Sequence, residues 1–334
     1  LLHGFPELAY SWRKIMPALA RAGYHVVAPD QRGYGRTTGW DADYDGDLAA
    51  FSMPSLVRDA LALVFALGHR SVAAVIGHDF GSPVAAWCAL IRPDVFRAVA
   101  VMSAPFAGPP ALPFAPADSR IHEDLASLDP PRGHYQWYYA TREANADMWR
   151  CPQGLHDFLR AYYHFKSADW PGNRPYPLAA WTATELAKLP TYYVMDARQD
   201  MAATVAPEMP SREQIAACRW LPDEELRVYS GEYARTGFQG GLQWYRCAIS
   251  DRFNAELSLY AGRTIDVPSC FIAGAADWGI RQRPGALEAM QEKACTRMLG
   301  CHLLDGAGHW VQQEQPEETA RLLLDFLGKA ASAG

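Results

Sequence analysis

The chain has 334 residues, of which 49% are hydrophobic and 20% are charged, and its formal net charge is −6. This composition is ordinary for a globular protein. The charges form no basic stripe or polybasic segment and no apolar run is long enough to cross a bilayer, so we expect neither nucleic acid nor membrane as a partner.

Short apolar strands and amphipathic helices alternate over the first hundred residues. The opening Leu1-Leu2-His3-Gly4 reads as the end of a strand, and we expect further N-terminal strands upstream of it. Alternating strands and helices, with apolar and β-branched strands, predict an α/β protein with a mostly parallel sheet and helices on both faces. We predict strands over residues 23–29, 71–76 and 96–102, and helices over 53–67 and 82–91.

The sequence changes character beyond residue 108. A stretch rich in Pro and Ala is followed by helical patterns rich in Trp, Tyr and Arg without a clear run of strands, which indicates a helical cap, or lid, inserted into the sheet domain. Strand signals then return over residues 269–273 and 301–304, with helices over 284–295 and 316–330. We therefore expect a first core part at 1–120, a cap at 121–262 and a second core part at 263–334.

The cysteine and histidine patterns bear on compartment and metals. The seven cysteines are scattered and none forms a C-x-x-C pair, which indicates reduced thiols in a cytoplasmic protein. The ten histidines show neither an H-E-x-x-H motif nor a cluster at metal-binding spacing. We expect no metal site.

A turn motif with an acidic residue at its centre links the predicted strand at 71–76 to the next helix. Gly77-His78-Asp79-Phe80-Gly81 follows the pattern of a nucleophile elbow, G-x-S-x-G, with aspartate in place of serine. Glycine on either side allows the strand and the helix to approach. The free N–H groups and the dipole of the helix would keep Asp79 ionised. The alternative interpretation is an ordinary aspartate that caps the helix.

Two partners and a loop complete the pattern. Asp277 in GAADWG and His309 in GAGHW each follow a predicted strand, and nucleophile, acid and base occur in the chain order of an α/β-hydrolase triad. The loop His3-Gly4-Phe5-Pro6 precedes them, and its Phe5 N–H with the Phe80 N–H predicts an oxyanion hole. The Phe5–Pro6 bond is a candidate for the cis form.

Taken together, these motifs resemble the soluble epoxide hydrolase family of the α/β-hydrolase fold. HGFPE, RGYGRT, GHDFG, the strand-end Asp277 and GHW match its pattern, and the resemblance covers nearly the whole chain. The cap segment GFQGGLQWYR at 237–246 matches the context of one family cap tyrosine. The other family tyrosine lies early in the cap and often precedes Gln, which Tyr135-Gln136 matches. The resemblance implies that Tyr245 and Tyr135 are the acids, with Gln136 in the substrate site.

The pieces together predict the conversion of an epoxide to a vicinal diol. Asp79 would displace the epoxide oxygen and form an enzyme ester, while the two phenols donate to that oxygen. His309, oriented by Asp277, would then activate the water that hydrolyses the ester. No cofactor is needed, because side chains supply every group. We expect a small apolar aryl or alkyl epoxide and water as partners, Trp278 and Trp310 as pocket walls, and a monomer or homodimer.

Two alternatives stay open. A haloalkane or haloacid dehalogenase can use the same Asp–His–Asp set. However, haloalkane dehalogenases place Trp after the nucleophile and fluoroacetate dehalogenases use Arg there, whereas this chain has Phe80. A ligand-binding protein that kept the fold without catalysis is the second alternative, since fold does not settle function.

Overall fold

A parallel β-sheet organises the computed structural model, which describes residues 1–115 and 120–332. Strands β1, β2, β5 and β6, defined below, form this sheet in that order, and β3 and β4 form a separate antiparallel pair. The strands in the described residues are β1 (Val75–His78), β2 (Val99–Met102), β3 (Arg132–His134), β4 (Val194–Asp196), β5 (Ser269–Gly274) and β6 (Met298–Leu304).

Helices connect the strands and make up most of the segment between β2 and β5. Among the described residues, none of them is both long enough and apolar enough to span a membrane. The α-helices are α1 (Met16–Arg21), α2 (Met53–Ala66), α3 (Gly81–Ile91), α4 (Arg120–Ala126), α5 (Tyr135–Tyr139), α6 (Ala144–Trp149), α7 (Leu155–Lys166), α8 (Ala183–Leu186), α9 (Met201–Val205), α10 (Arg212–Ala217), α11 (Asp223–Thr236), α12 (Gln239–Ala248), α13 (Asp251–Leu257), α14 (Ala286–Ala289), α15 (Val311–Glu314) and α16 (Pro316–Ser332).

Both faces of the parallel sheet are apolar and covered by helices. Side chains alternate between the faces along a strand. In β2, Val99 and Val101 pack in the cluster that includes α2 and α3, whereas Ala100 and Met102 pack in the cluster that includes α1 and α16. The predicted α/β-hydrolase architecture, a mostly parallel sheet between helical layers, is confirmed.

The predicted strand over residues 23–29 is wrong. An apolar sequence becomes a strand only where a neighbouring backbone satisfies its N–H and C=O groups. Here the amino group of Leu1 donates to the Val27 carbonyl over 2.8 Å, and no ladder forms along this segment. Leu2 nevertheless pairs in parallel with Gly77, alongside β1.

The segment between β2 and β5 is mainly helical, as predicted, but the sequence analysis missed β3 and β4. These strands pair over three residues each, from Arg132 opposite Asp196 to His134 opposite Val194. Three residues are too few to show an alternating pattern. The cap boundaries at 121 and 262 stay a prediction.

Candidate active site

Asp79 lies in a tight turn between β1 and α3. Its φ of 52° is in the left-handed region, which costs backbone energy in a residue with a side chain. The turn brings strand and helix so close that a Cβ on Gly77 would lie 2.0 Å from the Gly81 carbonyl oxygen. A Cβ on Gly81 would lie 2.3 Å from the Leu2 carbonyl oxygen. The glycines of the motif are therefore a steric requirement of the elbow.

The structure brings the three predicted triad residues together beyond the carboxyl ends of the parallel strands. His309 Nε2 lies 3.2 Å from Asp79 Oδ2, and His309 Nδ1 lies 3.1 Å from Asp277 Oδ1. The contact between His309 Nε2 and Asp79 Oδ2 lacks the alignment of a hydrogen bond. The imidazole therefore lies beside the carboxylate without a hydrogen bond to it. Asp277 and His309 are buried, and Asp79 retains a small exposed fraction.

Ser103 is an additional member of this cluster that the sequence analysis did not identify. It follows β2 with a φ of 69°. Its Oγ donates to Asp277 Oδ2 and lies 2.9 Å from His309 Nδ1. The Gly279 N–H donates to Asp277 Oδ1 over 2.6 Å. Both oxygens of Asp277 are thus held, which fixes the carboxylate that orients the imidazole.

The triad carboxylates are charged despite their burial. Burial by itself raises the pKa of Asp79, but the His309 imidazole and the Lys166 ammonium outweigh it and hold the pKa below its ordinary value. The pKa of Asp277 is also lowered, because His309, Ser103 and the Gly279 N–H together outweigh burial. Asp79 is therefore ionised at neutral pH.

Of the two N–H groups predicted to form an oxyanion hole, that of Phe5 contacts Asp79. The Phe5 N–H donates to Asp79 Oδ1 over 2.8 Å, and the Phe5–Pro6 bond is cis, as predicted. Because Oδ1 is held in this way, Oδ2 is the oxygen free to attack. In the described part of the chain, the Phe80 N–H makes no hydrogen bond to Asp79.

A buried ion pair supports the elbow from behind. Glu7 Oε2 lies 2.6 Å from His78 Nδ1, and His78 Nε2 lies 2.7 Å from the His309 carbonyl oxygen. Because both partners only accept, both ring nitrogens donate and His78 is a cation beside the Glu7 carboxylate. Burial opposes both charges, yet their attraction raises the pKa of His78 and lowers that of Glu7.

The loop that carries His309 is held by one carboxylate. Glu314 in α15 accepts hydrogen bonds from the N–H groups of Gly308 and Trp310, each over 2.9 Å, and from that of Ala168 in the cap over 2.8 Å. The His309 N–H donates to the Lys166 carbonyl oxygen over 2.9 Å. The catalytic imidazole is thus anchored to both the core and the cap.

The two predicted cap tyrosines meet at the cavity that contains Asp79. Tyr135 begins α5, where its N–H donates to the Tyr193 carbonyl over 2.9 Å. Tyr245 lies in α12, and the two phenol rings are 5.9 Å apart between centroids. Burial, followed by the charge of Asp79, raises the pKa of both phenols well above its ordinary value. Both are therefore proton donors at neutral pH.

The cavity has a volume of about 330 Å³, within the usual range for small-molecule sites. Its wall is mixed, with slightly more apolar than polar surface. Gln136 lines the cavity as predicted, and Asp79 and the two tyrosines contribute to its polar part. Its apolar lining includes Phe51, Leu56, Phe80, Trp87, Trp244, Phe253 and Leu257, and its other polar lining is Asn254, Gln282 and Arg283.

Two predicted wall residues lie elsewhere. Trp310 is fully buried behind His309, where its indole N–H donates to the Tyr163 carbonyl over 2.8 Å. Trp278 packs against Tyr176, with 5.0 Å between ring centroids. Neither lines the cavity at Asp79. In residues 1–115 and 120–332, no group of three or more acidic, His or Cys side chains is placed to hold a metal ion.

Comparisons with known proteins agree with this geometry. A family model described as alpha/beta hydrolase fold matches residues 1–120. The chain is 35% identical to epoxide hydrolase B of Mycobacterium tuberculosis, over 98% of this chain and 90% of the relative. It is 36% identical to epoxide hydrolase A of the same organism, over 98% and 89%.

Solved structures give the same result. An epoxide hydrolase from an endophytic Streptomyces matches with a TM-score of 0.75 and 33% identity, covering 98% of this chain and 87% of the other. Epoxide hydrolase A from Mycobacterium thermoresistibile matches with a TM-score of 0.75 and 34% identity, over 98% and 89%. The chain therefore belongs to the epoxide hydrolase family, whose members are enzymes with the α/β-hydrolase fold.

Proposed function

We propose that this protein hydrolyses small apolar epoxides to vicinal diols through a covalent ester on Asp79. The observation that carries the proposal is the shared cavity. A charged carboxylate with one free oxygen and two protonated phenols, Tyr135 and Tyr245, line the same cavity. A carboxylate opposite two acids is the arrangement that an epoxide requires, because one carbon must be attacked while its oxygen is protonated.

The first half-reaction opens the ring. Asp79 Oδ2 attacks an epoxide carbon, the strained C–O bond breaks, and the released oxygen takes a proton from one of the phenols. The products are a neutral ester and a phenolate. The second phenol stabilises the oxygen by a hydrogen bond while charge develops on it.

The second half-reaction hydrolyses the ester. His309 removes a proton from water as the hydroxide bonds to the carboxyl carbon of Asp79, and the Phe5 N–H stabilises the charge on Oδ1. Asp277 stabilises the imidazolium. The tetrahedral intermediate then expels the diol oxygen, which takes the proton from His309. The remaining proton on Asp79 returns to the phenolate, so the cycle balances.

The pocket favours an oxygen leaving group over a halide. A departing halide has no proton to receive and is best stabilised by fixed N–H donors, whereas phenols both donate and transfer protons. Phe80, which follows the nucleophile and lines the cavity, has a side chain without a donor. The aromatic and aliphatic side chains in the wall favour alkyl or aryl substituents on the epoxide.

The test is product analysis with a styrene-oxide-type epoxide and, separately, a haloalkane. Wild type is compared with Asp79→Ala and with a matched control, Asp305→Ala, whose side chain is exposed. We expect diol from wild type and the control, none from Asp79→Ala, and no halide from any of them. Halide release without diol would instead establish a dehalogenase, and binding without turnover would establish a ligand-binding protein.

The ester route needs its own measurement. A single turnover in water labelled with oxygen-18 should place the label in the Asp79 carboxylate and leave the first diol unlabelled. Label in that first diol would mean that water attacks the epoxide directly. We expect the His309→Gln variant to form the ester and to retain it. Intact mass spectrometry would detect this ester as an increase in protein mass equal to the mass of one epoxide.

A further inference from the structure

Lys166 is a buried cation that the reaction described above does not use. It ends α7, and only a few per cent of its surface is exposed. It forms no ion pair and no side-chain hydrogen bond within residues 1–115 and 120–332. Its Nζ instead faces aromatic rings, with centroids at 4.8 Å for Tyr193, 5.4 Å for Tyr162, 5.5 Å for Trp310 and 5.8 Å for Tyr192.

The buried position of the Lys166 ammonium does not stabilise the folded state. Burying an ammonium without a carboxylate partner is energetically unfavourable, and cation–π contacts offset only part of that cost. A methionine would fill the same space without this cost. Buried groups that break local rules in this way occur mainly at functional sites.

The charge of Lys166 acts on the triad. Burial lowers the pKa of Lys166, whereas the charges of Asp79 and then Asp277 act in the opposite direction and favour its ammonium form. The Lys166 charge in turn lowers the pKa of Asp79. The other buried cation nearby, His78, is already paired with Glu7 over 2.6 Å. His78 also acts on Asp79, but Lys166, unlike His78, has no carboxylate bound to it among the described residues.

We infer that Lys166 is an electrostatic positioning residue that shortens the lifetime of the Asp79 ester. This inference rests on the proposed function. Asp79 is negative in the free enzyme, neutral in the ester and negative again in the tetrahedral intermediate. A fixed cation stabilises both charged states relative to the neutral ester. It therefore slows ring opening slightly and accelerates hydrolysis.

The mechanism of this effect involves no chemical change in Lys166. During hydrolysis the carbonyl π electrons move onto Oδ1 as hydroxide bonds to the carboxyl carbon, and the water proton goes to His309. The Lys166 ammonium keeps its protons throughout. Its backbone carbonyl also accepts the His309 N–H, and a side-chain substitution leaves that contact in place.

The experiment compares wild type with Lys166→Met and Lys166→Gln, which remove the charge with little change in volume. Lys188→Met, an exposed cap lysine paired with Glu185, is the matched control. Stopped-flow tryptophan fluorescence measures ring opening. Acid quench followed by intact mass spectrometry measures the fraction of enzyme held as ester during turnover of a styrene-oxide-type epoxide.

We expect unchanged or faster ring opening in both Lys166 variants, with hydrolysis slower by about tenfold, the effect of a charge worth one pKa unit. The ester fraction should rise accordingly, and the unfolding midpoint should stay or increase. An equal fall in both rates, or an unchanged ester fraction, would overturn the inference. If wild type forms no diol, the proposed function fails instead. If Lys166→Met does not fold, Lys166→Gln provides the same test.

Discussion

At the scale of single residues, protonation states determine when the first half-reaction can run. Burial raises the pKa of Tyr135 and Tyr245 well above the ordinary value, so neither loses its proton as the pH rises toward 10. The pKa of Asp79 is lowered, so it stays ionised as the pH falls toward 5. The form with Asp79 ionised and both phenols protonated therefore persists between about pH 5 and about pH 10.

We predict that the rate of ring opening is flat from about pH 5 to about pH 9, where none of these groups titrates. Single-turnover fluorescence in buffers of constant ionic strength measures it. Tyr245→Phe should lower the rate by about 100-fold or more, as expected for loss of a general acid, without changing the shape of the profile. An alkaline decline with a midpoint below pH 9 would contradict the proposed state of the phenols.

Sequence reasoning found the residues that short motifs identify and missed those defined by distance in space. Asp79, His309 and Tyr245 each lie in a recognisable local context. Lys166 and Glu314 do not, because their significance arises from rings and N–H groups brought from other elements. A lysine at a helix end or a glutamate near a C-terminal helix is ordinary in sequence. Lys166 is distinguished only by its burial without an ion pair, and Glu314 only by the N–H groups that converge on it.

At the scale of elements, the elbow depends on a close approach of β1 and α3. A Cβ on Gly77 would meet a backbone oxygen at 2.0 Å, and backbone cannot move away as a flexible side chain can. Gly328 in α16 offers the opposite case, since it is exposed and nothing lies within 4 Å of an added Cβ. The two glycines are a matched pair for the same substitution.

We predict that Gly77→Ala lowers the free energy of unfolding by more than about 3 kcal/mol or prevents folding, as overpacking against backbone does. Gly328→Ala should raise it by about 1 kcal/mol, because alanine favours the helix. Urea unfolding followed by circular dichroism measures both. A mild effect at Gly77 would show that the elbow can open, and the steric account of its glycines would be wrong.

Long helices and continuous apolar strands were predictable from their patterns, whereas the three-residue strands β3 and β4 were not. The helix predicted at 53–67 is α2 (Met53–Ala66), and the helix predicted at 316–330 is α16. β3 and β4 span three residues each, and their existence depends on partners that lie sixty residues apart. The opposite error, a strand over 23–29, arose because propensity indicates a suitable sequence but not an available neighbour.

At the scale of the whole molecule, the cap and the sheet domain share one apolar interior. Core residues such as Leu90 and Val99 and cap residues such as Leu159 and Leu226 belong to the same cluster of buried side chains. The active site lies within this shared interior, since Asp79 comes from the core and both acids come from the cap. Correct placement of the phenols therefore depends on cap and core remaining docked.

Side chains of the cap donate hydrogen bonds to core backbone carbonyls, two of them buried and one partly buried in the examples that follow. Tyr163 donates to the Pro6 carbonyl over 3.0 Å, Tyr233 to the Glu7 carbonyl over 3.1 Å, and the Trp244 indole to the Arg32 carbonyl over 2.9 Å. Two of these acceptors, Pro6 and Glu7, lie one and two residues after Phe5, whose N–H donates to Asp79. Cap docking and nucleophile placement are thereby coupled through one loop.

We predict that cap and core unfold together in one calorimetric transition. Tyr163→Phe and Tyr233→Phe should each lower its midpoint, because a buried carbonyl loses its donor at a cost of about 1–3 kcal/mol. Tyr176→Phe is the control, since that side chain is exposed and its hydroxyl is not buried. Two separate transitions, with the variants shifting only one of them, would mean that the cap is an independent unit. The phenols would then reach Asp79 only by docking, and ring opening would depend on cap closure rather than on a preformed site.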